Sequence, residues 1–283
     1  MSVGGLAAAL CLSQVSAKAV TEGGDAHVGS FTFDAWDGPS LQVYFVEPAS
    51  APQDAPIVIV MHGAGRNADD YRDNWIDLAK QYGFVVYAPA FDRKHFPKAR
   101  HYNMGGLTAE KPRAFDAIDP LFDMIKKRRT SGPDKYILFG HSAGAQFVHR
   151  FVFFRPKARY KMAIAANAGW YTLTRKDQNW PYGLGKLKKR RYNMKEVFQK
   201  PLVILLGAKD NVPNDKNLRT TPKAMAQGPH RLARGVYFLK TAKASAEASR
   251  VTLKWRFQII PGVGHDNRGM AIAAAALIAQ EQN

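Results

Sequence analysis

The chain has 283 residues, 46% of them hydrophobic, which suits an α/β domain with a sizeable buried core and is far from a disordered composition. Forty-one Lys and Arg against 23 Asp and Glu give a formal charge of +18, so nonspecific association with anionic surfaces is expected. No helix-turn-helix, zinc-finger or RNA-binding signature accompanies that charge, so no specific nucleic-acid binding is expected, and the single Cys11 excludes an internal disulfide and a cysteine nucleophile in the folded part.

At the start of the chain, Val3 to Leu12 form a small apolar run followed by Val15-Ser16-Ala17-Lys18-Ala19, a pattern that predicts a signal peptide over residues 1–19 and a secreted or periplasmic protein. No Lys or Arg precedes the run, which leaves a cytoplasmic chain with a frayed terminus as the alternative. No later apolar stretch reaches the roughly 18 residues needed to span a bilayer. The basic runs at 126–129 and 186–191 read as solvated faces or loops.

Phe31 to Phe33 and Leu41 to Val46, with a turn at Asp37-Gly38-Pro39 between them, predict an opening hairpin. Pro56 to Met61 is a continuous β-branched run, as a parallel strand covered on both faces requires. Similar runs follow at 84–88, 136–139, 162–166, 202–206 and 255–260. Helix-compatible stretches lie between and after them at 69–81, 112–127, 143–154, 222–248 (with glycine interruptions) and 268–280. This alternation predicts an open, mostly parallel sheet with helices on both faces. Residues 170–200 break the rhythm with aromatics, Pro181, Gly183 and Gly185, and are a candidate lid or substrate-binding insertion.

Ligands of open α/β sheets bind beyond the carboxyl ends of the strands, so polar residues just after a strand come first as site candidates. Tyr136 to Phe139 runs into Gly140-His141-Ser142-Ala143-Gly144 and then into a helical stretch. Gly-x-Ser-x-Gly in a strand-turn-helix context makes Ser142 the candidate nucleophile, because the turn strains the serine backbone and a helix start supplies N–H groups for an oxyanion. The strand at 202–206 ends at Asp210, the expected acid of a triad, with Asp215 near enough in sequence to compete. The last strand leads into Pro261-Gly262-Val263-Gly264-His265-Asp266, which offers His265 as general base. The chain order Ser142, Asp210, His265 is the one this arrangement requires.

Two backbone N–H groups are expected to hold the oxyanion: that of Ala143, and one from His62-Gly63-Ala64-Gly65-Arg66, where Ala64 is the first choice and Gly65 the alternative. His62 and His141 are read as structural. Trp170 and Tyr171, with Trp180 and Tyr182, are candidates for an acyl pocket, with packing as the equal alternative; Arg66 and Asn67 have surface or capping roles open beside substrate contact. No His or carboxylate cluster has metal-ligand spacing, so neither metal nor cofactor is expected.

At His62-Gly63-Ala64-Gly65, Gly140-His141-Ser142-Ala143-Gly144, Asp210 and Gly264-His265-Asp266 the sequence resembles the α/β-hydrolase superfamily. Within it, the chain is similar to the branch of polyhydroxybutyrate depolymerase-like and feruloyl esterase-like enzymes. The resemblance implies a single α/β-hydrolase domain over residues 28–283 that cleaves carboxylic esters through an acyl-enzyme without a cofactor. Two alternatives stay open: a peptidase, thioesterase or acyltransferase on the same fold, and a noncatalytic basic protein that holds polyanions. The sequence carries no signal for an oligomeric state.

Overall fold

A computed structural model describes residues 25–109, 112–187 and 192–282. The expected signal peptide and Cys11 lie outside these residues.

Eight strands form one sheet: β1 (Ala26–Phe33), β2 (Leu41–Pro48), β3 (Ile57–Met61), β4 (Val85–Pro89), β5 (Tyr136–His141), β6 (Tyr160–Ala166), β7 (Leu202–Gly207) and β8 (Arg256–Ile260). Their spatial order is β1-β2-β4-β3-β5-β6-β7-β8. The opening hairpin pairs antiparallel and β2 joins β4 antiparallel, whereas every other pairing is parallel.

The helices are α1 (Ala68–Asp73), α2 (Ile76–Tyr82), α3 (Lys98–His101), α4 (Ile118–Arg129), α5 (Ala143–Phe154), α6 (Met194–Phe198), α7 (Pro222–Met225), α8 (Arg231–Ala248) and α9 (Asn267–Gln280). Strand residues alternate between two apolar layers. Ile57, Ile59 and Met61 of β3 join a core with α4, α5 and α8, while Val58 and Val60 point to the other side, toward α1, α2 and α9. This double cover is why the central strands read as continuous apolar runs. Among the described residues no helix is long and apolar enough to cross a membrane.

Three helical expectations are corrected in detail. The stretch 69–81 is two helices, not one: the chain turns at Asn74, and Trp75 is fully buried edge-on to Phe139 at 5.1 Å. The stretch at 112–127 opens with a short 3-10 turn at Ala114–Ala117 before α4. The stretch 222–248 splits around Gly228, whose φ of +146° no helix allows, and α8 restarts where the His230 side chain accepts a hydrogen bond from the Ala233 N–H at 3.2 Å.

The insertion expected near 170–200 is present. Residues 170–187 carry no helix or strand, yet Trp170, Tyr171, Leu173, Tyr182 and Leu184 are all buried and seat the segment on the body. Of the two sheet edges, β8 is the barer: Phe257 and Ile259 are 45% and 42% exposed.

Candidate active site

Ser142 occupies the turn between β5 and α5 with φ 58° and ψ −113°, a conformation that L side chains rarely adopt. The turn is tight enough to demand its glycines. A Cβ on Gly144 would lie 2.0 Å from the Met61 carbonyl oxygen, and one on Gly140 would lie 2.4 Å from the backbone of Gly144. The strain lifts the hydroxyl above the ends of the parallel strands, where two loops meet it.

From the loop after β8, His265 places Nε2 at 3.0 Å from Ser142 Oγ. Its Nδ1 lies 2.8 Å from Asp210 Oδ2, at the end of β7. Asp210 is 3% exposed, and its other oxygen accepts a hydrogen bond from Arg231 Nη1 at 3.2 Å. The competing acid is in a different place. Asp215 accepts from Arg231 Nη2 at 3.0 Å and has no hydrogen bond to His265. That Arg231 hydrogen bond holds the Asp215 carboxyl below the usual carboxylate range.

Asn167, which the strand-end rule could have flagged just after β6, was not anticipated. Fully buried, it donates to the Gly264 carbonyl at 2.8 Å and accepts from the Gly207 N–H at 2.7 Å. It therefore ties the end of β7 to the loop that carries His265.

The expected oxyanion residues Ala64 and Ala143, with Gly63 and Gly65, line the same cavity as Ser142. Ala143 opens α5, so its N–H is directed to the positive end of a twelve-residue helix. His62 is structural. Its Nδ1 lies 3.0 Å from the Gly63 carbonyl and its Nε2 accepts the Phe91 N–H at 3.1 Å, while burial pulls its pKa down to about 3. His141 is buried against His265 with ring centroids 4.7 Å apart, and its Nδ1 meets the Tyr71 hydroxyl at 3.2 Å. Burial holds it well below the usual histidine range, so it is neutral.

A cavity of about 700 Å³ opens over Ser142. Trp170 lines it, as expected of an acyl-pocket residue, but Tyr171 does not. That expectation is corrected: Tyr171 is fully buried and stacks on Phe238 at 4.5 Å, with its backbone N–H and carbonyl both bonded to the Gln227 side chain. Trp180 packs on Phe154 and Tyr182 on Trp170. Arg66 lines the cavity, yet its guanidinium is fastened to the carbonyls of Phe91, Phe96 and Lys98 and stacks on Tyr102 at 4.2 Å. Asn67, at the N-cap position of α1, donates to the Asp70 carboxylate in the first turn of that helix. Among the described residues no group of three or more His, Cys, Asp or Glu is placed to hold a metal ion.

A buried carboxylate, an imidazole and a strained serine hydroxyl in one hydrogen-bonded line are the parts that nucleophilic acyl transfer needs. The profile of the dienelactone hydrolase family matches residues 41–256. Poly(aspartic acid) hydrolase-1 from Sphingomonas sp. KT-1 is 40% identical, superposes with a TM-score of 0.84, and is covered over 99% of its chain by 91% of this one. LpqC, a poly(3-hydroxybutyrate) depolymerase from Bordetella parapertussis, is 30% identical with a TM-score of 0.81 and 91% of each chain covered. The uncharacterized protein YfhR of Escherichia coli K12 is 26% identical over 117 residues, 41% of this chain and 38% of that relative's length.

Proposed function

Since the chain belongs to the dienelactone hydrolase family and is a hydrolase of the α/β type, we propose that it cleaves carboxylic esters through an acyl-enzyme formed on Ser142. One observation carries the reading: the continuous line from Asp210 Oδ2 to His265 Nδ1 at 2.8 Å and from His265 Nε2 to Ser142 Oγ at 3.0 Å.

In this reading His265 removes the Ser142 proton as Oγ attacks the acyl carbon. Asp210 accepts from Nδ1–H, which fixes the tautomer that leaves Nε2 free to act as base, and it stabilises the imidazolium that forms. Negative charge on the carbonyl oxygen is met by the N–H groups of Ala143 and Ala64. His265 then hands its proton to the leaving alcohol, and a water activated by the same imidazole releases the acid. His141, neutral beside His265, adds no charge that would oppose the cation.

The likeness to a poly(aspartic acid) hydrolase and a poly(3-hydroxybutyrate) depolymerase supports an acyl polymer or its oligomers as substrate. A second reading replaces the ester by an amide. The greater identity to poly(aspartic acid) hydrolase-1 favours it, since poly(aspartic acid) is amide-linked and the same route cleaves an amide when His265 protonates the leaving amine.

The test is hydrolysis of p-nitrophenyl acetate, butyrate and octanoate beside Ser142→Ala. The variant is expected to lose at least about 10⁴-fold in kcat and all labelling by a fluorophosphonate. Substantial residual turnover by Ser142→Ala removes Ser142 as nucleophile, and labelling without ester turnover moves the assignment to the amide.

A further inference from the structure

The charged side chains lining the cavity all have one sign. Arg66, Arg93, Lys98, Arg219 and Arg231 line it, and among the described residues no Asp or Glu does. Three of the five are occupied. Arg66 holds carbonyls, Arg93 donates to the Ala64 carbonyl at 2.9 Å, and Arg231 is paired with Asp210 and Asp215.

Lys98 and Arg219 remain, and of the two it is Arg219 that packs on Trp170. The Arg219 Nε donates to the Tyr182 hydroxyl at 2.7 Å, which leaves both terminal nitrogens without a partner among the described residues. Its guanidinium carbon lies 5.5 Å from the centre of the Trp170 indole, on the cavity wall.

A second cation packs on the same indole. Arg150, on α5, is fully buried with its guanidinium carbon 4.3 Å from the Trp170 ring centre. It donates to Thr172 Oγ1 at 2.8 Å, the Asn103 carbonyl at 2.9 Å and the Gln146 carbonyl at 3.2 Å, but its Nη2 is buried with no partner. Neither Arg150 nor Arg219 has a carboxylate within ion-pair distance among the described residues. Burial, with Arg219 nearby, pulls the Arg150 pKa down to about 9, which leaves it a cation at neutral pH. A buried charge without a counter-ion is costly, and an arriving anion repays that cost. Bracing of the helix and its neighbouring loops explains the Arg150 hydrogen bonds to Thr172, Asn103 and Gln146; it explains neither the orphaned Nη2 nor the second unpaired guanidinium beside the same ring.

We infer that the Trp170 end of the cavity is a carboxylate subsite, in which the two terminal nitrogens of Arg219 grip a carboxylate on the substrate's acyl portion and buried Arg150 supplies a fixed positive field beneath it. The inference rests on Ser142 as the acylated residue, because that places the acyl portion in this cavity. It defines a substrate class: acyl compounds with a free carboxylate beside the scissile bond. A planar two-pronged donor over an indole suits a carboxylate better than a neutral carbonyl.

The experiment compares each mono-4-nitrophenyl ester of succinate, glutarate and adipate with the same ester whose free carboxylate is capped as a methyl ester. In at least one pair the wild type is expected to favour the carboxylate form at least tenfold in kcat/KM, chiefly through KM, and the ratio should shrink between 20 mM and 500 mM NaCl. Arg219→Gln should bring that ratio down to near one, while Lys161→Gln, outside the cavity, should keep it. A wild-type ratio near one in every pair, or a ratio that survives Arg219→Gln, overturns the subsite. If no ester is turned over at all, the Ser142 ester reading fails, and the subsite is judged by calorimetry with sodium glutarate. Glutarate binding that Arg219→Gln weakens at least tenfold sustains it, and no binding, or binding indifferent to Arg219, overturns it.

Discussion

Arg231 donates through Nη1 to Asp210 Oδ1 at 3.2 Å, and both side chains are 3% exposed. The guanidinium holds the carboxylate from the side away from His265, so the acid of the proposed triad is fixed by an ion pair as well as by its own strand end. Asp210→Asn is expected to cost about 10⁴-fold in kcat/KM, because the amide presents the wrong hydrogen-bonding partner to the imidazole. Asp215→Asn should cost less than about tenfold, since its side chain bonds Arg231 and the Asn217 N–H and makes no hydrogen bond to His265. Arg231→Met should destabilise the fold by about 3 kcal/mol by leaving the Asp210 Oδ1 buried without its cation, with His265 as the remaining partner of the carboxylate. Urea unfolding and ester kinetics of the three variants check this, and a larger loss at Asp215 than at Asp210 would reverse the assignment.

Acid should destabilise the protein through its buried histidines. Burial takes His62 down to about 3 and holds His141 and His149 well below the usual range. In the unfolded chain each takes up a proton near pH 6.5, so between that pH and the folded value the unfolded state binds more protons. Stability is therefore full above about pH 7 and falls as pH drops, by about 1.4 kcal/mol per pH unit for each histidine. Thermal melts between pH 8 and pH 4 should show a plateau and then a steep fall. His149→Gln should flatten the fall, and a melting temperature that does not change between pH 7 and pH 5 contradicts the account.

The strained turn at Ser142 makes a prediction about stability alone. A φ of 58° with ψ of −113° costs a residue with a Cβ about 1–3 kcal/mol, and glycine avoids most of it. Ser142→Gly should be inactive yet about 1 kcal/mol more stable than Ser142→Ala in urea. The reverse order would mean that the turn stores no strain.

Asn167 should act on rate through position. Asn167→Ala removes the bonds to Gly207 and Gly264, and is expected to lower kcat about 10-fold to 100-fold with KM little changed. It should also cost about 2 kcal/mol by orphaning a buried N–H. A KM effect without a kcat effect would place Asn167 in substrate binding instead.

Much of this was legible in the chain because its signals are local. The runs 57–61, 136–141 and 202–207 are apolar on both faces, and only a doubly covered sheet needs that. Gly140, Ser142 and Gly144 announce their turn because the close approach to Met61 admits no side chain. What stayed hidden depends on contacts between distant segments. Arg231 and Asp210 are 21 residues apart and Arg150 and Thr172 are 22 apart, so no periodicity connects them. Tyr171 was misplaced for a related reason: an irregular stretch has no period from which to read the direction of its side chains. The break at Trp75 escaped because its apolar spacing continues through the turn and neither Asn74, which caps α1, nor Trp75, which precedes α2, is a glycine or proline.

The barer margin of the sheet bears on how the protein fails. His265 hangs from the loop after β8, a strand that among the described residues has β7 as its only strand neighbour and two apolar side chains open to solvent. Opening such a margin takes less free energy than unfolding the molecule. Ser142 and Asp210 stay anchored on interior strands while the imidazole between them is withdrawn. Gentle heating or dilute denaturant would then silence turnover while the far-ultraviolet signal of the sheet is still intact, and cooling would restore it at once, because a single strand has only to dock again.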